Sequence, residues 1–321
     1  MLSPFRRFAA VAALHKRYNE RVDGRSIQPH GRCRTFFTAE GSGLSFLMQN
    51  SSLSKTFQEA AMALRAKDFA RAEKLASKIL RSSRTDRDAT LILAHALFGQ
   101  NRPEEAVQPL ERAARRQGDA EIETMLGAAL CNARRGDEGI SMLRQITLRR
   151  PPHLPSFQEL AGQLAKAGQF DEAVSIIENA LALAPGNIDL QLDLGRLLLK
   201  NNAPAMASDV LAAARDHAPG RADIAAELGR ALLLAGNYPA AADAYRLALG
   251  LRPDDVLSRA NLAACLLEMN QREAAESSLR AIMRTRPDML GRVTYAMTAA
   301  SHGRCFFSLN AAAEFLKAND R

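Results

Sequence analysis

Tryptophan is absent from this 321-residue chain, and aromatic residues make up only 5% of it. β-branched residues are also sparse, whereas alanine and leucine, both strong helix formers, dominate. No apolar run approaches the roughly 18 residues that a membrane-spanning helix requires. With 47% hydrophobic residues, the composition predicts an all-α protein that has a substantial buried core and no transmembrane segment.

The sequence also lacks the residue clusters that mark metal centres and common active sites. Its four cysteines are far apart without a C-x-x-C pair, and its six histidines are scattered. No phosphate-binding glycine loop, zinc-protease motif or nucleophile elbow occurs. Cys131 and Cys265 fall in apolar helical patterns, as small buried thiols do in a reducing compartment. We therefore expect a cytoplasmic protein that is not an enzyme and binds no metal or cofactor.

Basic charge is concentrated at the N-terminal end. The net charge is +8, and residues 1–47 contain eight basic but only three acidic residues. Residues 48–321 contain 35 basic and 32 acidic residues. The main part of the chain thus lacks the basic excess that neutralises nucleic-acid phosphates, and we expect no nucleic-acid partner.

Residues 1–47 have three interpretations. No acidic residue precedes Glu20, as in organelle-targeting or export segments, which would change the expected location. The periodic pattern begins only near Leu53, shortly after Met48. The first 47 residues are therefore an incorrectly assigned translation start, a targeting segment or a disordered arm.

Five prolines recur at a constant interval of 34 residues. They are Pro151, Pro185, Pro219, Pro253 and Pro287. Blocks that end two residues past each proline, with two looser blocks before them, divide the chain into seven repeats. The repeats are 53–86, 87–119, 120–153, 154–187, 188–221, 222–255 and 256–289. A fixed period of this kind is typical of stacked supersecondary units.

Two positions in every block hold only small residues. The eighth position holds Ala60, Ala94, Gly127, Ala161, Gly195, Gly229 and Ala263, and the twentieth holds Ala72, Ala106, Gly139, Ala173, Ala207, Ala241 and Ala275. Small residues among leucines allow two helices to approach closely and pack their apolar faces together. Turn signals such as "AGNYP" lie between the two positions. Each block is therefore predicted to be a helix-turn-helix hairpin.

The block "ADIAAELGRALLLAGNYPAAADAYRLALGLRPDD" resembles the tetratricopeptide repeat. The matching signature residues are Leu228, Gly229, Leu232, Tyr238, Ala241, Tyr245, Ala248 and Pro253. The resemblance implies a right-handed α-solenoid of about seven stacked hairpins over residues 53–289. Residues 290–321 are expected to form a C-terminal helical cap, and the irregular segment Ser301 to Phe307 within them has no assigned role.

The resemblance also implies which residues line the concave groove. In the family, positions 2, 5, 9, 12 and 13 of the first helices commonly contact a ligand. The corresponding residues are Asp189, Leu192, Arg196, Leu199, Lys200, Asp223, Ala226, Arg230, Leu233 and Leu234, together with Gln158, Gly162, Lys166, His95 and Phe98.

Arg196 and Arg230 are 34 residues apart and occupy the same repeat position. Together they form a ladder of guanidinium groups that suits a partner bearing carboxylates, because each guanidinium fork donates two parallel hydrogen bonds. The alternative is that each arginine pairs within its own helix, with Asp193 and Glu227 respectively.

The sequence thus predicts a non-catalytic protein-protein interaction scaffold or adaptor. Its partner is expected to be a peptide or helical segment of another protein, held in the groove. The alternative is a substrate-recruiting subunit of a separate enzyme, such as a glycosyltransferase or sulfotransferase. The oligomeric state and the partner's identity do not follow from the sequence.

Overall fold

A computed structural model describes residues 42–115, 118–306 and 308–317 of the chain, with side chains from residue 54 onward. Within this part the protein consists of sixteen α-helices, two short 3₁₀ turns and no strand. The predicted all-α class is confirmed. No helix among these residues is long and apolar enough to cross a membrane.

Consecutive helices are joined by short turns and pair as helical hairpins. The first seven are α1 (Ser42–Arg65), α2 (Phe69–Ser82), α3 (Arg87–Gly99), α4 (Val107–Ala114), α5 (Ala120–Asn132), α6 (Gly136–Thr147) and α7 (Leu154–Lys166). The next seven are α8 (Phe170–Leu183), α9 (Ile188–Lys200), α10 (Pro204–His217), α11 (Ala222–Leu234), α12 (Tyr238–Leu251), α13 (Val256–Glu268) and α14 (Arg272–Thr285). The last two are α15 (Leu290–Ala299) and α16 (Leu309–Lys317), and 3₁₀ turns cover Pro103–Ala106 and Pro287–Met289.

The chain divides into two compact units, Met1–Gln163 and Leu164–Arg321, which we call unit 1 and unit 2. The division falls within α7. Within each unit, α1 packs against α2, α5 against α6, α9 against α10, α11 against α12 and α13 against α14, as the two helices of a repeat. Helix α1 begins at Ser42, ahead of the first predicted repeat at Leu53. Residues 1–41 lie outside the described part of the chain.

A left-handed residue ends the first helix of every repeat. At the fifteenth position of the seven blocks, the positive φ angles belong to Lys67, Asn101, Arg134, Gly168, Asn202, Gly236 and Asn270. Such a residue turns the chain sharply and stops the helix, because its backbone cannot continue in the right-handed region. The turn signals between the helices therefore have a common backbone geometry.

The last residue of several blocks caps the first helix of the next one. Asp86, Asn187 and Asp255 each accept hydrogen bonds from backbone N–H groups in the first turn that follows. These N–H groups have no partner inside the helix, so a cap is worth about 1 kcal/mol. Pro185 and Pro253 stand two residues before these caps and follow the ends of α8 and α12.

The small positions lie where the two helices of a hairpin come closest. A Cβ atom added to Gly195 would lie 2.5 Å from Leu211, and one added to Gly229 would lie 2.9 Å from the ring of Tyr245. At Gly127 the added Cβ would lie 2.7 Å from Leu143. The alanines at the twentieth position, Ala173, Ala207 and Ala241, are fully buried. Larger side chains at these positions would push the paired helices apart.

A further hairpin follows the seven repeats. Helix α15 packs beside α13 and α14, and α16 packs beside α14 and α15. Val293, Met297 and Leu316 are buried in the same hydrophobic core as Leu279 of α14. The predicted C-terminal cap is thus a hairpin of two short helices that covers the apolar face of the last repeat.

The irregular segment between α15 and α16 folds back onto the last repeat. Ser301 N–H donates to Glu268 Oε1 at 3.1 Å, and Arg272 Nε donates to the His302 carbonyl at 3.1 Å. Arg304 N–H donates to the Met297 carbonyl at 2.9 Å. Phe307 lies outside the described residues. The segment that the sequence left without a role therefore attaches the cap to the repeats.

The side chain of Arg304 continues this attachment. It donates to Glu276 Oε1 at 2.6 Å, and Arg280 contacts Glu276 Oε2 at 3.4 Å. The guanidinium carbons of Arg304 and Arg280 lie 4.8 and 4.9 Å from the ring centroid of Phe315. Phe315 of α16 is thereby held by two cation–π contacts, and its ring also lies 5.5 Å from that of Phe306.

Candidate functional site

The predicted groove residues of unit 1 lie mostly inside the protein. His95 is only 9% exposed, within the longest run of buried residues in α3. Phe98 is half-buried and packs against the hydrophobic core of unit 1, and Gln158 is half-buried on α7. A ligand on this face would therefore meet little of His95, which the repeat position alone had placed in the groove.

In unit 2 the predicted groove residues differ in exposure. Leu192 and Leu199 of α9 are buried and belong to the core, because apolar side chains at these positions gain more from burial than from facing solvent. Leu234 is 57% exposed. Lys166, Lys200 and Arg230 are exposed, and Ala226 and Leu233 are half-buried. Gly162, which belongs to unit 1, is also half-buried. The accessible part of the candidate groove thus combines cationic side chains with Leu234.

Asp189 and Asp223 are joined by one arginine. Arg221 NH1 donates to Asp189 at 2.8 Å, while its Nε and NH2 groups donate to the two carboxylate oxygens of Asp223 at 2.9 and 2.7 Å. Burial alone would raise the pKa of Asp223. The hydrogen bond and charge of Arg221, with the charge of Arg196, outweigh this effect and hold the pKa below its usual range. Both predicted groove carboxylates therefore serve contacts between hairpins.

Unit 1 contains the same arrangement. Arg87 donates to Asp88 at 2.9 Å and also to Asp119 and Glu121. Asp88 and Glu121 occupy the second position of adjacent repeats, as Asp189 and Asp223 do in unit 2. We call these two sets the arginine bridges. The sequence contains a pattern that could have predicted both bridges. In each set, acidic residues occupy the second position of adjacent repeats and an arginine lies at a repeat boundary.

Arg196 and Arg230 share a single carboxylate. Arg196 Nε donates to Glu227 Oε1 at 2.9 Å, and Arg230 NH1 donates to Glu227 Oε2 at 3.3 Å. The predicted pairing within the helix occurs for Arg230. For Arg196 it is wrong, because its ion pair crosses from α9 to α11 instead of reaching Asp193. Stacking of the hairpins places Glu227 of α11 within hydrogen-bonding distance of Arg196 of α9.

Tyr245 lies beneath this group. It is 1% exposed, and its ring packs against Gly229. Burial raises the pKa of Tyr245 well above its usual range, while the neighbouring Asn261 amide and the charge of Arg230 act in the opposite direction. Tyr245 is therefore a buried part of the contact between the two helices of its hairpin.

The side chains exposed on this face are cationic or apolar, namely Lys200, Arg230 and Leu234. In the described parts of the chain, no group of three or more histidine, cysteine or acidic residues is arranged to hold a metal ion. Cys265 is fully buried, and burial raises its pKa to about 12, so its thiol stays protonated and unreactive near neutral pH. The accessible side chains are hydrogen-bond donors and an apolar surface, which suit binding of a polypeptide segment.

Comparison with known proteins agrees with this architecture. The model of the tetratricopeptide repeat family matches residues 63–126, 164–230 and 232–299. These matches cover more than half of the chain, which therefore belongs to the tetratricopeptide repeat family. No curated protein sequence matches the chain.

Several solved structures are similar to the chain. PilF of Pseudomonas aeruginosa is 19% identical, with a TM-score of 0.52 over 63% of this chain and 92% of that one. The C-terminal part of a repeat-containing protein from Cytophaga hutchinsonii is 13% identical, with a TM-score of 0.54 over 72% of this chain and 95% of that one. A MamA fragment from Desulfovibrio magneticus RS-1 is 20% identical, with a TM-score of 0.49 over 53% and 97%. The first two likenesses show the tetratricopeptide fold.

Proposed function

We propose that the protein is a non-catalytic scaffold that holds a peptide or helical segment of another protein on the first helices of unit 2. The observation that carries the proposal is the combination of exposed donors and exposed apolar surface on α9 and α11. Lys200 and Arg230 present charged donors, and Leu234 presents an apolar side chain at the same repeat position as Lys200. Rigid stacked helices suit such recognition, because the binding surface is formed before the ligand arrives.

The core arrangement of unit 2 supports the same function. Leu192 and Leu199 are buried, so the backbones that carry Arg230 and Leu234 are fixed by packing. The small residues at the hairpin contacts let the paired helices pack closely, and close packing resists rearrangement. Binding then requires ordering of the ligand and a few exposed side chains, which limits its entropic cost.

Selection of short random peptides displayed on phage tests the proposal with the full chain. We expect peptides to be enriched. We also expect Leu234→Gln to weaken binding of the best peptide about tenfold, because the variant no longer offers the peptide an apolar side chain to bury. Met206→Gln is the matched control, since Met206 is also 57% exposed but lies on a second helix, α10. Its affinity should stay within about twofold of the parent.

Two outcomes would contradict the proposal. One is that no peptide is enriched over an unrelated helical protein. The other is that Leu234→Gln and Met206→Gln have equal effects, which would place binding away from the first helices. Circular dichroism of both variants excludes unfolding as the cause of lost binding.

A further inference from the structure

Helix α2, the second helix of the first repeat, is basic on the side that faces solvent. It contains four basic residues and one acidic residue, and all four basic side chains are exposed. The four are Arg71, Lys74, Lys78 and Arg81. Residues spaced by three and four positions lie on one side of an α-helix, so these cations form a row about 15 Å long.

The acidic residues of α2 and its N-cap already serve other contacts. Glu73, the one acid of α2, is half-buried and accepts a hydrogen bond from Arg102 of the following hairpin at 3.0 Å. Asp68 caps α2 and accepts from the backbone N–H of Arg71 at 3.1 Å. Within the described part of the chain, no carboxylate forms an ion pair with the four cations. Their charge is therefore presented to solvent.

The next repeat continues this pattern. Arg112 and Arg115 follow two of these cations by 34 residues and lie at the end of α4. Glu111, the one acid of α4, accepts from Arg135 of the following hairpin at 3.0 Å. Equivalent residues of adjacent stacked hairpins lie on the same side of the stack. The six cations are called the basic face: Arg71, Lys74, Lys78, Arg81, Arg112 and Arg115.

The second helices of unit 2 do not share this charge. Helix α8 contains three acidic residues and no basic one. In its repeat, Asn179 and Ala182 occupy the positions of Lys78 and Arg81. Both units are built from the same hairpins, so hairpin packing does not require the cations of the basic face.

The other side chains of α2 indicate the kind of partner. Between the cations the helix exposes only Ala70 and Ser82, while Leu75 and Leu80 pack against the core of unit 1. A protein partner usually needs an apolar or aromatic anchor, and base recognition uses aromatic or amide side chains. An anionic bilayer needs neither, because its lipids move laterally to match cations at any spacing.

We propose that the basic face binds the surface of a membrane that contains anionic lipids. Its lysines and arginines contact the headgroups, and no side chain of α2 enters the hydrocarbon region. Residues 1–47 contain eight basic and three acidic residues, an excess of five, so the same surface attracts them and they do not neutralise the face. The inference is independent of the proposed function, which uses the first helices of unit 2.

Cosedimentation of the full chain with lipid vesicles tests the proposal. Vesicles of phosphatidylcholine alone are compared with vesicles that contain about 30% phosphatidylserine, a common anionic lipid. We expect binding to the anionic vesicles only. Binding should weaken as the salt concentration rises from about 0.05 to about 0.5 M, because salt screens the attraction.

A fourfold variant locates the binding. It combines Arg71→Gln, Lys74→Gln, Lys78→Gln and Arg81→Gln, and glutamine keeps a similar helix propensity. We expect at least about tenfold weaker binding to the anionic vesicles, because each cation near the surface contributes to attraction. Arg71→Lys with Arg81→Lys should bind like the parent, since a bilayer responds to charge and not to the shape of a guanidinium group.

The matched control removes four exposed cations from unit 2. It combines Arg246→Gln, Arg252→Gln, Arg284→Gln and Arg292→Gln. Its net charge equals that of the fourfold variant, and its binding should stay within about threefold of the parent, because screened charges outside the contact add little. Circular dichroism checks that both variants are folded.

Three outcomes would overturn the inference. The first is that anionic vesicles bind no better than neutral ones. The second is an equal loss in the fourfold variant and the control, or no loss in either, which would assign binding to net charge or to residues 1–47. The third is that a labelled DNA duplex or polyglutamate binds through the basic face while the vesicles do not, which would make the partner a nucleic acid or an acidic protein.

Discussion

At the scale of single residues, the fifteenth position of each repeat makes the largest demand on the backbone. Asparagine or glycine occupies it in five repeats, but Lys67 and Arg134 adopt φ angles of 61° there. A side chain with a Cβ atom disfavours this region by about 1 kcal/mol or more. Both side chains are exposed, so neither repays this cost by burial.

Replacing Arg134 by glycine should therefore stabilise the protein. We expect a gain of about 0.5–1 kcal/mol in the free energy of unfolding by urea, with the greater freedom of glycine in the unfolded chain limiting it. Gly236→Ala is the reciprocal change at the same repeat position, where φ is 78°. It should destabilise by about 1 kcal/mol. Equal effects of the same sign in the two variants would show that backbone strain does not control this position.

Sequence reasoning predicted some residue roles and missed others for physical reasons. Small residues at close helix contacts are visible because size is a property of the residue, and Gly229 against Tyr245 is one example. The left-handed backbone of Lys67 and Arg134 is hidden, because neither residue type prefers it. Likewise, spacing within a helix indicated Asp193 as the partner of Arg196, whereas Glu227 lies 31 residues away in sequence.

At the scale of elements, the C-terminal hairpin depends on a close backbone approach. A Cβ atom added to Gly303 would lie 1.6 Å from the carbonyl oxygen of Met297. No side chain fits there unless the segment moves. Because Arg304 follows directly and contacts both Glu276 and Phe315, movement of Gly303 would disturb the contacts that hold α16 against the last repeat.

Gly303→Ala should release α16 while the repeats stay folded. We expect the amide hydrogen exchange of residues 309–317 to become at least about tenfold faster, as for local opening, with α11 and α12 unchanged. Gly291→Ala is the control, because an added Cβ there meets no atom within 4 Å. Unchanged exchange in Gly303→Ala would show that α16 is held by its apolar contacts alone.

The element scale also explains why the fold was more predictable than the site. The repeat period specifies helices, turns and their order, since each hairpin buries the same kinds of residue. Residues 300–306 break the period, and their role depends on contacts with Glu268 and Glu276 about 30 positions earlier. The accessible groove is equally dependent on stacking, which buries Leu192 and leaves Leu234 exposed, although the resemblance placed both in the groove.

At the scale of the whole molecule, both units use an arginine bridge between adjacent first helices. Asp119 resembles Asp223, because burial acts to raise its pKa and the hydrogen bond and charge of Arg87 more than compensate. A carboxylate whose pKa is lower in the folded than in the unfolded state adds stability above its unfolded pKa, near 4, and loses it as the pH falls through the folded value. The bridges should therefore make folding acid-sensitive.

Removing both arginines should lessen this sensitivity. At pH 7 we expect Arg87→Met with Arg221→Met to lower the free energy of unfolding by about 1–2 kcal/mol, since each partly exposed bridge contributes about 1 kcal/mol or less. The deficit relative to the parent should shrink as the pH falls from about 6 to about 3, because protonation of Asp119 and Asp223 removes the same interaction from the parent.

Arg246→Met, in which an exposed pair within α12 is lost, should show a smaller deficit at pH 7. Urea unfolding across this pH range measures all three proteins. A deficit that stays constant with pH would mean that the arginines stabilise the hairpins by packing of their side chains and not through the carboxylates they join.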